Sequence, residues 1–166
     1  MNEVVVLETN MGVIELELYS DKAPVTVENF LSYVNTGHYN GTIFHRVIGN
    51  FMIQGGGFLP NGEQKETQKP IKLESDNGLS NVIGTIAMAR TNIPDSATCQ
   101  FFINVADNTF LNRGVGTGKE GYAVFGKVIK GMEAVNAIKA VETANRGFHQ
   151  DWPVNDVMIE KAYIKA

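Results

Sequence analysis

What most limits the fold of this chain is its rhythm of short strand-like runs separated by turn residues, with only two helix-like segments, well apart. Val4-Val5-Val6-Leu7 and the run from Val13 to Tyr19 flank an Asn10-Met11-Gly12 turn. The second run alternates Ile14, Leu16 and Leu18 with Glu15 and Glu17, the pattern of a half-buried strand. Further runs are Phe44 to Ile48 and Phe51 to Gln54 around Gly49-Asn50, then Gly84 to Arg90, Gln100 to Val105, Tyr122 to Val128 and Val157 to Ile164. One helix is predicted from Pro24, suited to a first helical position, through Val27, Phe30, Leu31 and Val34 to a stop at Gly37. A shorter one spans 132–139, with Met132, Val135 and Ile138 inward. Residues 55–81 read as a long functional or surface-draped loop. Strands that do not alternate with helices argue against a parallel doubly wound sheet. The expectation is a mainly β chain forming one domain over 1–166, a closed antiparallel β-barrel with helices at its ends. A barrel of about eight strands is filled by its own side chains, which places any binding site on the outer surface.

Charge and cysteine usage narrow the partners. The net charge of −4 comes with no block of like charge and no basic stripe, which argues against nucleic acid or an anionic membrane as the main partner. No apolar run reaches the roughly 20 residues that span a bilayer, and no cationic start leads into an apolar signal core. Cys99 is the only cysteine and has no internal partner, which favours a reducing compartment. A cytoplasmic protein is expected.

Several constellations carry no chemistry. Gly114 to Glu120 looks like a phosphate loop, but Arg113 occupies the place of its first glycine and Glu120 that of the magnesium-binding Ser/Thr. His38, His45 and His149 lack metal-ligand spacing. Asp95-Ser96 lies in a turn, with no Gly-x-Ser-x-Gly elbow to make a hydrolase. Arg46 stands out. Phe44, His45, Val47, Ile48, Phe51, Met52 and Ile53 surround it, and the nearest acid in sequence is Glu63. An arginine so placed needs a polar partner from a distant segment or from a ligand. Strand parity puts Gln54 on the side of Met52, and Gln100, Phe102 and Asn104 on one face with Phe101 and Ile103 on the other. Amide forks, aromatics and the small Ala87 and Ala89 together suit an extended peptide.

Phe44-His45-Arg46-Val47, Asn50 to Gly56, Met88-Ala89 and Gln100-Phe101-Phe102-Ile103 closely resemble the cyclophilins, cyclosporin-binding peptidyl-prolyl isomerases. The resemblance extends over nearly the whole chain, and Gly147 to Asp151 is similar to the small bacterial cytosolic branch. It implies a closed eight-stranded antiparallel barrel capped by two α-helices. It also implies rotation about Xaa-Pro bonds of peptides and unfolded proteins, assisting folding, without cofactor or metal. By the same resemblance Arg46 is the catalytic arginine and Gln54 holds the substrate carbonyl. Phe51, Met52, Phe102 and Leu111 wall the proline pocket, and Ala89, Arg90 and Gln100 line the peptide groove. His45 precedes the arginine as in the family, although parity turns it away from Arg46. Phe110 stands where cyclosporin-sensitive members carry tryptophan, so cyclosporin is expected to bind weakly, and Tyr122 stands where many members have histidine. Trp152 is too far along the chain to replace the missing indole. A monomer is expected. Two other functions fit parts of the pattern: a proline-peptide binding module without catalysis, and a carrier holding a small molecule inside the barrel.

Overall fold

In the computed structural model, residues 2–115 and 120–166 are described, so most of the phosphate-loop look-alike, residues 116–119, lies outside the described residues. Ten strands and two α-helices follow in order: β1 Val4–Thr9, β2 Gly12–Leu18, α1 Pro24–Asn35, β3 Arg46–Ile48, β4 Met52–Gly55, β5 Thr85–Met88, β6 Phe101–Asn104, β7 Val124–Lys130, α2 Met132–Lys139, β8 Thr143–Arg146, β9 His149–Pro153 and β10 Ile159–Ile164. A 3₁₀ turn at Thr109–Leu111 precedes β7. Eight strands form one curled sheet in the order β10-β1-β2-β7-β5-β6-β4-β3, with every pairing antiparallel. The β8–β9 hairpin, which no sequence pattern marked, forms a separate two-stranded sheet.

The closed barrel expected from the sequence is corrected to an open, curled half-barrel. Among the described residues no ladder joins the edge strands β3 and β10. The chain just before β3 meets the β10 side through an isolated bridge, Ile43 to Met158, and backbone bonds from Gly41 N to Ile159 O (2.7 Å), Ile159 N to Thr42 O (2.8 Å) and Phe44 N to Val157 O (2.8 Å). Ile43 also bridges Phe58, and neither bridge extends into a ladder. Hydrophobic alternation sets which face of a strand is buried, but it carries no information about whether the two edges meet.

The core lies inside the curl. Phe30 from α1 packs edge-on to Phe101 at 5.5 Å and against Phe125 at 5.2 Å, and Val135 and Ile138 come in from α2. Helix α1 packs against β10, and α2 against β2, β3 and β4. Helix α1 ends as its sequence predicts: Gly37 takes φ 75°, its N–H reaching Val34 O and the His38 N–H reaching Tyr33 O, a Schellman stop. Its start is different. Ala23 has no side chain that can cap it, so Glu74, from the long loop, accepts hydrogen bonds from Val25 N (3.2 Å) and Thr26 N (2.7 Å). That loop is tied down again where Gln68 N donates to Tyr33 Oη (2.8 Å) and Leu73 N to Asp95 Oδ1 (2.9 Å).

The three-glycine run lets β4 leave the sheet. A Cβ on Gly55 would meet Ile43 O at 2.8 Å, and one on Gly57 would meet the Gln100 side chain at 2.6 Å.

Candidate active site

Residues directly opposite each other in a ladder point to the same side of a sheet. The registers Arg46↔Gln54 (β3–β4), Gln54↔Phe102 (β4–β6) and Phe102↔Ala87 (β6–β5) therefore set Arg46, Gln54, Phe102 and Ala87 in one row across four strands. This row is on the outer face. The adjacent row, Val47, Ile53, Ile103 and Ile86, faces inward and is 2% exposed or less. On the outer face Met52, Ala87, Phe102 and Val124 form a second, smaller apolar cluster with Phe51, Leu111 and Tyr122 against it.

A cavity of about 140 Å³ opens above that cluster, lined by Arg46, Phe51, Met52, Gln54, Ala89, Arg90, Phe102, Leu111 and Tyr122. A water occupies about 30 Å³ of liquid, so this space suits a small ring. Its floor is dry: Met52 is 1% and Phe102 4% exposed. A second, polar recess of about 190 Å³ shares Gln54, Ala89 and Arg90 with it and adds Gln64, Thr91, Ser96, Thr98 and Gln100. The two together make an elongated groove that is apolar at one end and polar at the other.

The polar groups are aligned in series. Arg46 is exposed at the edge strand, and its Nη1 donates to Gln54 Oε1 over a long 3.4 Å. Gln54 Nε2 donates to Gln100 Oε1 at 2.9 Å, which orients the amide from behind. Among the described residues the only ion pair is Lys165–Glu15, so Arg46 has no carboxylate partner there and its charge is available to a ligand. Arg90 is held differently: its Nε and Nη2 donate to Gly121 O (3.1 and 2.7 Å), Nη1 donates to Thr91 O (2.8 Å), and the guanidinium lies 4.5 Å over the Tyr122 ring. The clamp on Gly121 and the stack on Tyr122 draw the 120–122 segment to the groove, a role the sequence did not announce.

Most residues singled out from the sequence converge here, but His45 and Phe110, expected to bind substrate, do not line the cavity. His45 is 6% exposed and packs against Phe58 (4.5 Å between ring centroids) and Trp152 (5.7 Å), on the far side of the strand from Arg46. Burial, with the nearby His149 and Arg46 charges, pushes its pKa down to about 4, and its Nδ1 has no hydrogen-bond partner among the described residues. His45 immediately precedes β3, and successive side chains of an extended chain alternate sides, which turns its ring away from Arg46. Phe110 is 53% exposed and stacks on Phe51 at 5.7 Å, at the rim. Asn104, placed on the groove face by parity, is fully buried with its amide turned to Asn81 Oδ1 (3.1 Å) and Thr85 Oγ1 (2.9 Å). The amide residues behind the site, Asn81 and Asn108, were missed because no periodicity marks them.

Among the described residues the arrangement offers one free cation, one oriented amide and an apolar seat for a ring, with no nucleophile lining the cavity. Cys99, the one thiol, is buried at the core and pushed up to about 11 by burial. Comparisons with known proteins agree with this chemistry. The family model described as cyclophilin type peptidyl-prolyl cis-trans isomerase/CLD matches residues 4–164. A peptidyl-prolyl cis-trans isomerase of Acinetobacter baylyi is 58% identical over 99% of this chain and 87% of its own length. Peptidyl-prolyl cis-trans isomerase B of Escherichia coli strain K12 is 55% identical over 97% of this chain and 99% of its own. The crystal structure of a Cryptosporidium parvum cyclophilin type isomerase in the presence of the dipeptide Ala-Pro superposes with a TM-score of 0.81 at 27% identity, covering 98% of this chain and 99% of that one. The chain belongs to the cyclophilin-type peptidyl-prolyl cis-trans isomerases, enzymes that need no cofactor.

Proposed function

We propose that the groove takes a proline-containing segment of a peptide or unfolded protein, and that Arg46 and Gln54 rotate its Xaa-Pro bond there. The row Arg46–Gln54–Phe102, with Met52 beneath and Phe51 and Leu111 beside it, carries this reading. A proline ring sits on the apolar floor, and its preceding carbonyl meets the Gln54 amide, which Gln100 holds in place.

The barrier to rotation is about 18–20 kcal/mol, because the nitrogen lone pair is delocalised into the carbonyl. In the twisted state the nitrogen is pyramidal and its lone pair can accept a hydrogen bond. Arg46 therefore binds the twisted amide better than the planar one, and differential binding of this kind raises a rate. A charged hydrogen bond contributes about 1.5–3 kcal/mol. At about 1.36 kcal/mol per decade this accounts for one to two orders of magnitude. The remainder comes from fixing the ring and carbonyl on a preformed, partly dry surface.

The Ala-Pro dipeptide of the Cryptosporidium structure supports a proline ligand for this chain as well. We place the site in one domain over 1–166, since β1 and β10, from the two ends of the chain, pair with each other. No described helix is long and apolar enough to cross a membrane, and bacterial isomerases are among the relatives, which fits the cytoplasmic location expected from composition. The test is NMR exchange between cis and trans forms of a short Ala-Pro peptide, with amide shifts followed in the protein. Accelerated exchange with shifts at Gln54, Ala89 and Phe102 is expected. Binding without acceleration would instead make the chain a peptide-binding module.

A further inference from the structure

We propose that Asn81, Asn104 and Asn108 act as a positioning relay that couples opposite walls of the ring pocket from behind; this rests on the reading of the groove as the Xaa-Pro site. The three amides are 0%, 0% and 3% exposed and lie in one continuous chain of hydrogen bonds. Asn108 Nδ2 donates to Phe51 O and to Asn104 Oδ1, both at 2.8 Å. Asn104 Nδ2 donates to Asn81 Oδ1 at 3.1 Å and to Thr85 Oγ1 at 2.9 Å. Asn81 Nδ2 then donates to Tyr122 O at 3.3 Å and to Asn112 Oδ1 at 3.1 Å. Each end of the chain thus stops on the backbone carbonyl of a pocket wall, Phe51 at one end and Tyr122 at the other. Leu111, a third wall, is held through its own N–H to Asn108 O (2.9 Å), and its carbonyl accepts from Tyr122 N (2.9 Å).

These walls come from three separate segments: the β3–β4 turn, the 3₁₀ turn and the stretch before β7. One backbone bond joins the Leu111 and Tyr122 segments, whereas the Phe51 segment is tied to Tyr122 through the asparagine side chains. Apolar residues could fill the space behind the pocket without the desolvation of three amides. A connected buried network of amides, in which all three Nδ2 groups donate twice, instead specifies one geometry, and its members polarise one another. None of the three amides faces the groove, so their effect on catalysis is through Phe51, Leu111 and Tyr122.

A seat for the ring serves planar and twisted amides alike, so loosening it raises KM and spares kcat. The decisive readout is at the far end of the relay from each change. In Asn81→Ala, hydrogen exchange is followed at Val105 N–H, which donates to Phe51 O; in Asn108→Ala, at Tyr122 N–H. Both variants are expected to speed far-end exchange about ten-fold and to raise KM for an Ala-Pro peptide about five-fold, with kcat within about two-fold. Asn10→Ala, which removes two amide bonds at the β1–β2 turn, serves as the control and is expected to change neither. Far-end exchange and KM both unchanged in the asparagine variants, or altered equally in the control, would overturn the relay. Should either asparagine variant not fold, Thr85→Val, which keeps every asparagine and removes one acceptor, is read at the same amides with the same two outcomes. If the parent protein does not accelerate isomer exchange, the assignment of the groove fails, while the amide exchange still decides the relay.

Discussion

Replacing Arg46 with alanine isolates the one charged group that the proposed mechanism needs in the transition state. The structure indicates that the fold depends on it little. Arg46 is exposed on an edge strand, its only side-chain hydrogen bond is 3.4 Å long, and it takes part in no ion pair among the described residues. Surface changes of that kind cost under about 1 kcal/mol of stability. In the twisted amide, by contrast, the guanidinium donates to a pyramidal nitrogen, a charged bond of about 1.5–3 kcal/mol that the planar substrate does not make. At about 1.36 kcal/mol per decade, kcat should fall by roughly ten- to a hundred-fold, with KM little changed because ring and carbonyl contacts remain. Arg46→Lys keeps the charge but not the fork and should lie between the two. The assay is cis/trans exchange on a short Xaa-Pro peptide over a range of concentrations, with thermal unfolding in parallel. A folded Arg46→Ala protein with unchanged kcat would refute the mechanism. A loss confined to KM would reassign Arg46 to ground-state binding.

Other outcomes follow from neighbouring features. His45 is held neutral, with a pKa of about 4 against 6.5 for an unperturbed histidine, so below pH 6.5 the unfolded chain takes up a proton that the folded one refuses. Stability therefore falls between pH 6.5 and 4 by roughly 3 kcal/mol from this group, and His45→Phe should flatten that part of a denaturant-unfolding series, with no flattening as the refuting result. Gly57→Ala drives a Cβ into the Gln100 side chain, displacing the group that orients Gln54. Losing that neutral bond, about 1 kcal/mol, should lower kcat/KM about five-fold, and activity equal to the parent would show that Gln100 does not orient Gln54. Phe110→Trp introduces an indole N–H at the exposed rim and should tighten cyclosporin binding several-fold by calorimetry, whereas equal affinity in parent and variant would refute a role for this position.

Much of the architecture was legible from period alone. The β1–β2 hairpin, both helices and the β3–β4 pair lie where alternation, Pro24, Gly37 and Gly49-Asn50 indicated, because these signals depend only on neighbours along the chain. The β8–β9 hairpin escaped because Thr143–Arg146 is half-buried at most, with no apolar alternation to mark it. Helix α1 could not reveal its cap, since Glu74 lies far along the chain and reaches it only through the draped loop. Parity placed Arg46, Gln54 and Phe102 correctly relative to their own strands and turned His45 away. It put Asn104 on the face of Phe102, as the register has it, but could not show that a side chain on that face is sealed under its neighbours.

By itself the sequence determined the local elements, the two faces of each strand and, through its family motifs, the kind of site to look for. Only the tertiary structure decided that the sheet stays open between β3 and β10, since whether two edges meet depends on contacts between residues far apart in sequence. It alone aligned Arg46, Gln54, Phe102 and Ala87 in one row, because registers across four strands are set by packing and not by any one strand's pattern. Local periodicity says which way a side chain points. The distance between two walls of a pocket depends on contacts between residues far apart in sequence.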